Sequence, residues 1–484
     1  MGGLAAALAL ATRGVAVTLV ERQPRPGGKM REIRVHDAPV DSGPTVFTMP
    51  WVFEEVFAEG GAALTEHVTI EPFEVLARHG WTDGSRLDLF ADPERSAAAI
   101  GEFAGAAEAD RYRVFCRRAR RTFETLHDPF IRSPRPSIPS LVTAAGVRGL
   151  LDLWRIRPFR SLWRELGVHF RDHRLRGLFA RYATYCGASP LQAPATLMLI
   201  AHVEQQGVWR IRGGMQRLAE ALGDELVRRG GQIRFDATVD EIEVRGGRAS
   251  GVRLASGERL AADVVVANAD VAAVGGGRLG EAAAAAVPGT GPGERSLSAM
   301  TWSMLAEPAG FELSHHNVFF PDDYPREFED IFERGALPSR PAVYVCAPDH
   351  AARSGRQRLF MIANAPAIGD RYRFGDRDVA AMQPAVLELL ERCGLKLSAA
   401  PEHIVVTTPS DFEQRFPGTG GALYGMAPHG WRSSFARPGA RSRIPNLYLA
   451  GGSVHPGPGV PMAALSGRLA ARAVTTDLGL AWPR

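Results

Sequence analysis

The sequence predicts an α/β protein, α+β overall: a domain of parallel strands and close-packed helices, interrupted by a second domain of mixed sheet and helices. Three observations predict it. The first residues, 1–21, read as helix, then strand, then an acidic residue. Residues 446–467 read as strand, glycine loop and helix. Between them lies a long stretch of hairpins, helices and strand-like runs, with no repeat and no disordered linker. At 484 residues the chain is too long for one ordinary core, so two domains are expected.

At the amino end, Met1-Gly-Gly-Leu-Ala-Ala-Ala-Leu-Ala-Leu-Ala-Thr-Arg-Gly14 predicts an Ala/Leu helix closed by Gly14 as its C-cap. Val15–Glu21 follows as a β-branched apolar strand ending in an acid. This is most of a Rossmann-like βαβ unit. Gly2 and Gly3 stand at the helix start, and Glu21 stands about twenty residues on, where a carboxylate binds a ribose hydroxyl. The first strand and the leading glycines of the fingerprint are expected upstream of residue 1, because a sheet without its central strand leaves buried backbone unpaired. Glu21-Arg22-Gln-Pro-Arg-Pro-Gly27-Gly28-Lys29 adds a glycine pair and a cation just after the acid. Such a turn brings backbone close to a dinucleotide, or else it is a surface turn with a solvated lysine. Val40-Asp-Ser-Gly-Pro-Thr-Val-Phe47 reads as a tight loop able to lie against a flat ring.

At the carboxyl end, Leu447–Ala450 is an apolar run long enough for a buried strand. The glycines and prolines from Gly451 to Pro461 rule out regular structure there. From about Val460 the small residues Ala463, Ala464, Ser466 and Gly467 predict a helix packed closely on its neighbours. Strand, glycine loop and helix N-terminus together aim unpaired N–H groups and partial positive charge at whatever lies over the loop. A reduced flavin, negative along its N1–C2=O edge, suits that device. A plain βα turn with glycines at positive φ is the other reading.

The middle of the chain is mixed. His79–Phe90 predicts a hairpin with its turn at Asp83-Gly84. Residues 111–182 read as helical and strongly basic, with Arg117, Arg118, Arg120 and Arg121, then a Pro-rich loop over Ser133–Pro139. Over 149–166, Trp154, Phe159 and Trp163 interleave with Arg155, Arg157, Arg160 and Arg164. Aromatics among arginines suit the headgroup region of an anionic membrane; the competing reading is a solvated helix face with its tryptophans in the core. A glycine turn then opens an amphipathic helix that Gly230-Gly231 closes. Strands are expected at Gln232–Phe235, Thr238–Val244, Ser250–Leu254 and 263–270, then at Ala342–Cys346, Leu359–Ala363 and Ile404–Thr408, with a helix over Val379–Cys393.

Composition narrows the function. Hydrophobic residues are 45% and charged ones 23%, ordinary for a globular protein. The net charge is only +4, carried by Arg rather than Lys, and no nucleic-acid recognition motif accompanies it. The four cysteines, Cys116, Cys186, Cys346 and Cys393, stand far apart without CxxC or His spacing. That argues against a zinc or iron–sulfur site and fits buried thiols in a reducing compartment. No signal peptide and no run long enough to span a bilayer stands out, so a soluble or peripheral protein is expected.

Glu21 with Gly27-Gly28-Lys29, then Asp41-Ser-Gly-Pro-Thr45, then Ala450-Gly-Gly-Ser-Val-His-Pro-Gly-Pro-Gly-Val-Pro461 frame nearly the whole chain. In that order they resemble the flavin-dependent carotenoid desaturases of the bacterial phytoene desaturase type, within the wider amine oxidase-like FAD superfamily. Residues 43–53, Arg181-Tyr-Ala-Thr-Tyr185 and Phe416-Pro-Gly-Thr-Gly-Gly-Ala-Leu-Tyr424-Gly look closest to the 1-hydroxycarotenoid 3,4-desaturases (hydroxyneurosporene desaturases). The resemblance implies an FAD-binding domain made of 1–75, 205–275 and 411–484, with 76–204 and 276–410 forming a substrate and membrane-associating domain. It implies FAD held by Gly2, Gly3, Glu21, Arg22, Gly28, Lys29, Asp41, Gly43, Pro44, Thr45, Val239, Gly451, Gly452, Ser453, Gly459, Val460, Pro461 and Met462. It implies a carotenoid substrate, and quinone or oxygen as electron acceptor, between which the sequence does not choose. The expected location is cytoplasmic, peripheral to the inner, photosynthetic membrane. Phytoene desaturase, flavin amine oxidase and a non-catalytic isoprenoid carrier on the same fold are the alternatives.

Oxidising a carbon–carbon single bond asks for few catalytic side chains, and no Ser/His/Asp or metal constellation is visible. His455, in the flavin loop, is the nearest candidate for handling a proton; a hydrogen-bonded loop histidine is the competing reading. Asp41 is expected to orient its loop. Arg181, Tyr182 and Tyr185 either meet a polar substrate end, such as a tertiary hydroxyl, or form one face of a packed helix.

Overall fold

The structure is a computed structural model and describes residues 1–134, 136–137, 157, 159–352 and 355–482. Helix α1 (Gly2–Ala11) opens the chain, and its alanines and leucines are buried on every side, so no apolar stripe forms. It ends at Thr12, and Gly14 at φ +74° turns the backbone toward β1 (Thr18–Val20). The hairpin β2 (Glu32–Val35) to β3 (Ala38–Asp41) follows. Then come β4 (Val75–Trp81) and β5 (Arg86–Phe90), the hairpin foreseen at Asp83-Gly84, with Gly84 at φ +80°.

A helical layer comes next: α2 (Ala106–Leu126), α3 (Leu162–His169) and α4 (His173–Ala180). The amphipathic helix is α5 (Gln216–Arg228). It leads to β6 (Gln232–Arg234), β7 (Val239–Arg245), β8 (Arg248–Leu254), β9 (Arg259–Ala261) and β10 (Val265–Ala267), of which all but β9 lie close to the strands expected there. Farther along, the elements that build the sheet and close the chain are β11 (Ser298–Ala309), β12 (His316–Phe320), α6 (Pro325–Phe332), β13 (Val343–Cys346), β14 (Gln357–Ala365), α7 (Asp376–Arg392), β15 (Lys396–Ser398), β16 (Ile404–Thr407), β17 (Leu447–Leu449) and α8 (Val460–Asp477).

Strands from the two chain ends lie beside strands of the 232–267 region. β1 runs parallel to β6, with Thr18 opposite Gln232, and β10 runs parallel to β17, with Val265 opposite Leu447. Among the described residues no strand joins these two pairs; Val15, Val17, Val264 and Val266 line the space between them. Helices α1 and α8 pack face to face, and small residues allow it. A Cβ on Gly467 would overlap the Gly2 carbonyl oxygen and lie 2.9 Å from the Ala6 nitrogen.

The second unit is an eight-stranded sheet in the order β15–β11–β14–β13–β12–β4–β5, with β16 also pairing β11. Only the β12–β4 pair is parallel, so chain from either side of the β6–β10 region builds one sheet. One face packs on α7 through Trp302, Met361, Met382 and Val386. The other meets the helical layer, where Val318, Phe320 and Phe360 pack with Phe115, Phe170 and Phe179.

Residues 149–156 and 158 of the arginine–tryptophan stretch lie outside the described residues, and with them Trp154 and Arg155. Within the described part, Trp163 packs on the core with the Arg176 guanidinium 3.9 Å above its ring. Glu165, 1% exposed, draws in Arg118 at 3.2 Å, Arg157 at 3.4 Å and Arg160 at 3.5 Å. Several of the basic residues therefore neutralise a buried carboxylate, while Phe159 remains 72% exposed. Among the described residues no helix is long and apolar enough to cross a membrane.

Candidate active site

The glycine-rich segments from both ends of the chain converge on one cavity of about 1600 Å³. Its lining includes Gly2, Gly3, Glu21, Arg22, Gly28, Lys29, Gly43, Pro44, Val239, Gly451, Gly452, Ser453, Gly459 and Val460. This volume exceeds the roughly 300–1,000 Å³ of an ordinary small-molecule cleft, because it joins the glycine-lined cleft to the space between the β1–β6 and β10–β17 pairs. The chemistry of the lining fits FAD. Helix α8 starts at the cavity with Gly459, φ +116°, as an N-cap that brings no side-chain bond, so its first N–H groups stay available. Lys29 adds a cation: its Nζ donates to the Leu423 carbonyl at 2.6 Å, and burial lowers its pKa while Asp270 works against that. At Gly43 the loop lies directly on the Lys29–Arg31 backbone, where a Cβ would overlap the Lys29 carbonyl oxygen and stand 3.2 Å from the Arg31 nitrogen.

Side chains behind the lining hold it in place. Asn268 donates to the Ala450 carbonyl at 2.8 Å, and the Gly451 N–H donates to Ser466 Oγ at 3.2 Å. Ser453 Oγ accepts the Val271 N–H at 3.0 Å. Arg437 donates to the carbonyls of Gly452 at 3.1 Å, Tyr424 at 3.1 Å and Met426 at 2.6 Å, tying the 424–426 loop to the C-terminal glycine loop. Asp41 accepts the Met215 N–H at 3.0 Å, and burial raises its pKa. Glu21 accepts the Gln23 N–H at 2.9 Å, and Arg22 reaches the Arg415 carbonyl at 3.3 Å.

Not every residue singled out from sequence reaches the lining. His455 is 3% exposed, and its Nε2 donates to the Phe130 carbonyl at 2.9 Å. Burial lowers its pKa to about 4, so the ring is neutral and engaged away from the cavity. Pro461 and Met462 sit on the first turn of α8, behind Val460, where Met462 packs on the core. Asp41 and Thr45 flank the lining residues Gly43 and Pro44. Thr45 Oγ1 lies 2.6 Å from the Tyr344 hydroxyl, which meets His316 Nδ1 at 2.7 Å.

The hydroxyls of Tyr182 and Tyr185 both donate to the buried Glu204, each at 2.7 Å, which leaves Arg181 as the polar group of that trio without a carboxylate of its own. Around Arg181 stand residues that carry no spacing signal in the sequence: Tyr324, Tyr344, Glu327 and Asn364. Tyr424 and Asn364 line the cavity, so this polar group borders it. The fold also gathers His315, His316 and Cys346, distant or unpatterned in sequence, to within 4.8 Å of one another.

A glycine-lined cavity built on a helix–strand fragment of a nucleotide fold, beside a large mixed sheet, fits an FAD-dependent oxidoreductase. The model of the family of flavin containing amine oxidoreductases matches residues 1–475, and the chain belongs to that family. It is 52% identical to a hydroxyneurosporene desaturase of Rubrivivax gelatinosus over 99% of this chain and 92% of that protein. It is 44% identical to a hydroxyneurosporene desaturase of Cereibacter sphaeroides over 99% of this chain and 96% of that one. Among solved structures, an oxidoreductase from Methanosarcina mazei has the same fold at a TM-score of 0.59, 16% identity and 98% coverage of both chains.

Proposed function

We propose that this chain is an FAD-dependent carotenoid desaturase acting on a 1-hydroxycarotenoid, such as 1-hydroxyneurosporene, at its 3,4 bond. The observation that carries this reading is the similarity to two hydroxyneurosporene desaturases along nearly the whole chain. Desaturation breaks two C–H bonds on adjacent carbons. One hydrogen leaves with its electron pair and the other as a proton, and the second C–H pair becomes the new π bond. FAD, when bound, supplies the hydride acceptor.

The chain's own residues then have three tasks. Gly43, Gly451 and Gly459 let backbone lie against a flat ring system. Lys29 and the start of α8 place positive potential in the cavity, which favours a site gaining negative charge. Phe360 and Ile362, on the cavity wall, offer apolar surface to a rigid polyene and keep water from it. The exposed Phe159 and Arg164, with the sequence pattern of the arginine–tryptophan stretch, support docking on an anionic membrane surface, where a lipid-soluble substrate resides.

The test is expression in three bacterial strains, accumulating 1-hydroxyneurosporene, neurosporene or phytoene. The reading expects a red shift of the polyene bands in the first strain. Conversion of phytoene alone would replace it with a phytoene desaturase, and no pigment change in any strain would refute it.

A further inference from the structure

We propose that Arg181 and Tyr324 form the subsite that holds the substrate's tertiary hydroxyl, and so set the choice between a hydroxylated and a hydrocarbon polyene. This rests on the reading of the chain as a hydroxycarotenoid desaturase.

One unmet hydrogen-bonding demand stands beside a cation that pairs with a tyrosine hydroxyl rather than a carboxylate. Tyr324 is 4% exposed, and its hydroxyl has no partner among the described residues. A buried hydroxyl left without a partner is unusual and points to a group not yet bound. Arg181 forms no ion pair with any described carboxylate. Its guanidinium carbon lies 5.4 Å from the Tyr344 ring centre and 5.9 Å from that of Tyr185. Burial opposes its charge, and the electrostatics of Tyr185, Tyr324, Tyr344 and Glu327 outweigh that. Other polar neighbours are already engaged. Glu327, fully buried, accepts the Ala342 N–H at 2.7 Å and the Asn364 amide at 2.6 Å, and Glu204 takes both Tyr182 and Tyr185. The Tyr344 hydroxyl is held between Thr45 and His316. Arg181 therefore offers a donor, and Tyr324 a donor or acceptor, to an incoming alcohol.

The location suits the chemistry. The alcohol carbon C1 is two bonds from C3, so the hydroxyl oxygen sits roughly 3–4 Å from the reacting 3,4 bond. Arg181 and Tyr324 do not line the cofactor cavity themselves; they stand behind residues that do. Tyr344 connects to Thr45, beside the lining residue Pro44, and Asn364 and Tyr424 line the cavity itself.

The test uses the FAD-loaded full chain and its Tyr324→Phe and Arg181→Lys variants, with 1-hydroxyneurosporene and neurosporene as paired substrates. The quantity read is the ratio of kcat/KM for the alcohol to that for the hydrocarbon, together with the Kd of each polyene from quenching of tryptophan fluorescence. Tyr324→Phe is expected to lower both preferences about tenfold, the value of one hydrogen bond in a buried site. Arg181→Lys, which keeps the charge but not the fork, is expected to lower them in the same direction and serves if the tyrosine variant does not fold. Unchanged preferences in the folded variants would overturn the subsite. A wild-type chain that converts both polyenes equally would overturn it while leaving the desaturase reading intact, and conversion of neither would remove both.

Discussion

Gly43→Ala is a sharp probe of the cofactor cradle. The added methyl would overlap the Lys29 carbonyl oxygen and stand 3.1 Å from its carbonyl carbon and 3.2 Å from the Arg31 nitrogen. All three atoms are backbone, so no side chain can rotate away. Either the 41–45 loop or the 29–31 segment must move by roughly an ångström to restore ordinary contact. Both segments line the cavity, and Lys29 is anchored to Leu423. Overpacking of this kind costs about 1–3 kcal/mol, and each 1.4 kcal/mol is about tenfold in affinity. Titration of the apoprotein with FAD should therefore give a Kd roughly tenfold to a hundredfold above wild type. Gly293→Ala, where an added Cβ meets nothing within 4 Å, is the control and should bind FAD normally. A Gly43→Ala Kd within twofold of wild type would refute the assignment of this loop to the cofactor.

Other outcomes follow from the same geometry. Arg437→Met strips donors from three carbonyls, at about 1 kcal/mol or more each, and should lower Tm and bound flavin together; normal flavin content would sever the link between the 424–426 loop and the cofactor site. Burial lowers His79 and His455 to about 4 and His315 to about 3. The unfolded chain binds these protons near pH 6.5 and the folded chain does not, so their stability is present above pH 6.5 and lost as pH falls toward 4. Glu327, raised by burial to about 7, contributes oppositely between 4.5 and 7, and the raised carboxylates Asp41 and Glu204 also act oppositely, but these are three groups against the seven described histidines that burial lowers, His79, His169, His202, His315, His316, His429 and His455. Calorimetry should show Tm falling from pH 6.5 to 4, and a flat or rising Tm would contradict it. Flotation with phosphatidylserine vesicles should carry the protein upward, less so for Phe159→Ala, and absence from anionic vesicles would end the membrane reading.

What the sequence discloses follows from how local each signal is. The Ala/Leu run of α1, the Asp83-Gly84 turn and the small residues of α8 act through neighbours in the chain, and each appears as expected. The glycine clusters were legible for the same reason: close backbone approach at Gly43 or Gly467 excludes a side chain. By contrast β11, the strand at the heart of the large sheet, is buried on both faces over most of its length and carries Ser298, Thr301 and Ser303 inside. It shows neither alternation nor an uninterrupted apolar run. The surroundings of Arg181 were equally silent, since Tyr324, Tyr344 and Asn364 come from three separate elements that only the tertiary fold brings together. His455 takes the other of its two readings, the hydrogen-bonded loop histidine. It is close in sequence to the glycine loop, yet its ring turns to the Phe130 carbonyl, a partner that no local pattern announces.

The most direct measurement is a single anaerobic turnover. FAD-loaded protein would be mixed with 1-hydroxyneurosporene in detergent, with flavin and polyene absorbance followed in the same cuvette. The account predicts loss of the oxidised flavin band matched one-to-one by a red-shifted polyene with one more conjugated double bond. An unchanged polyene beside a flavin that bleaches readily with a primary amine would contradict it.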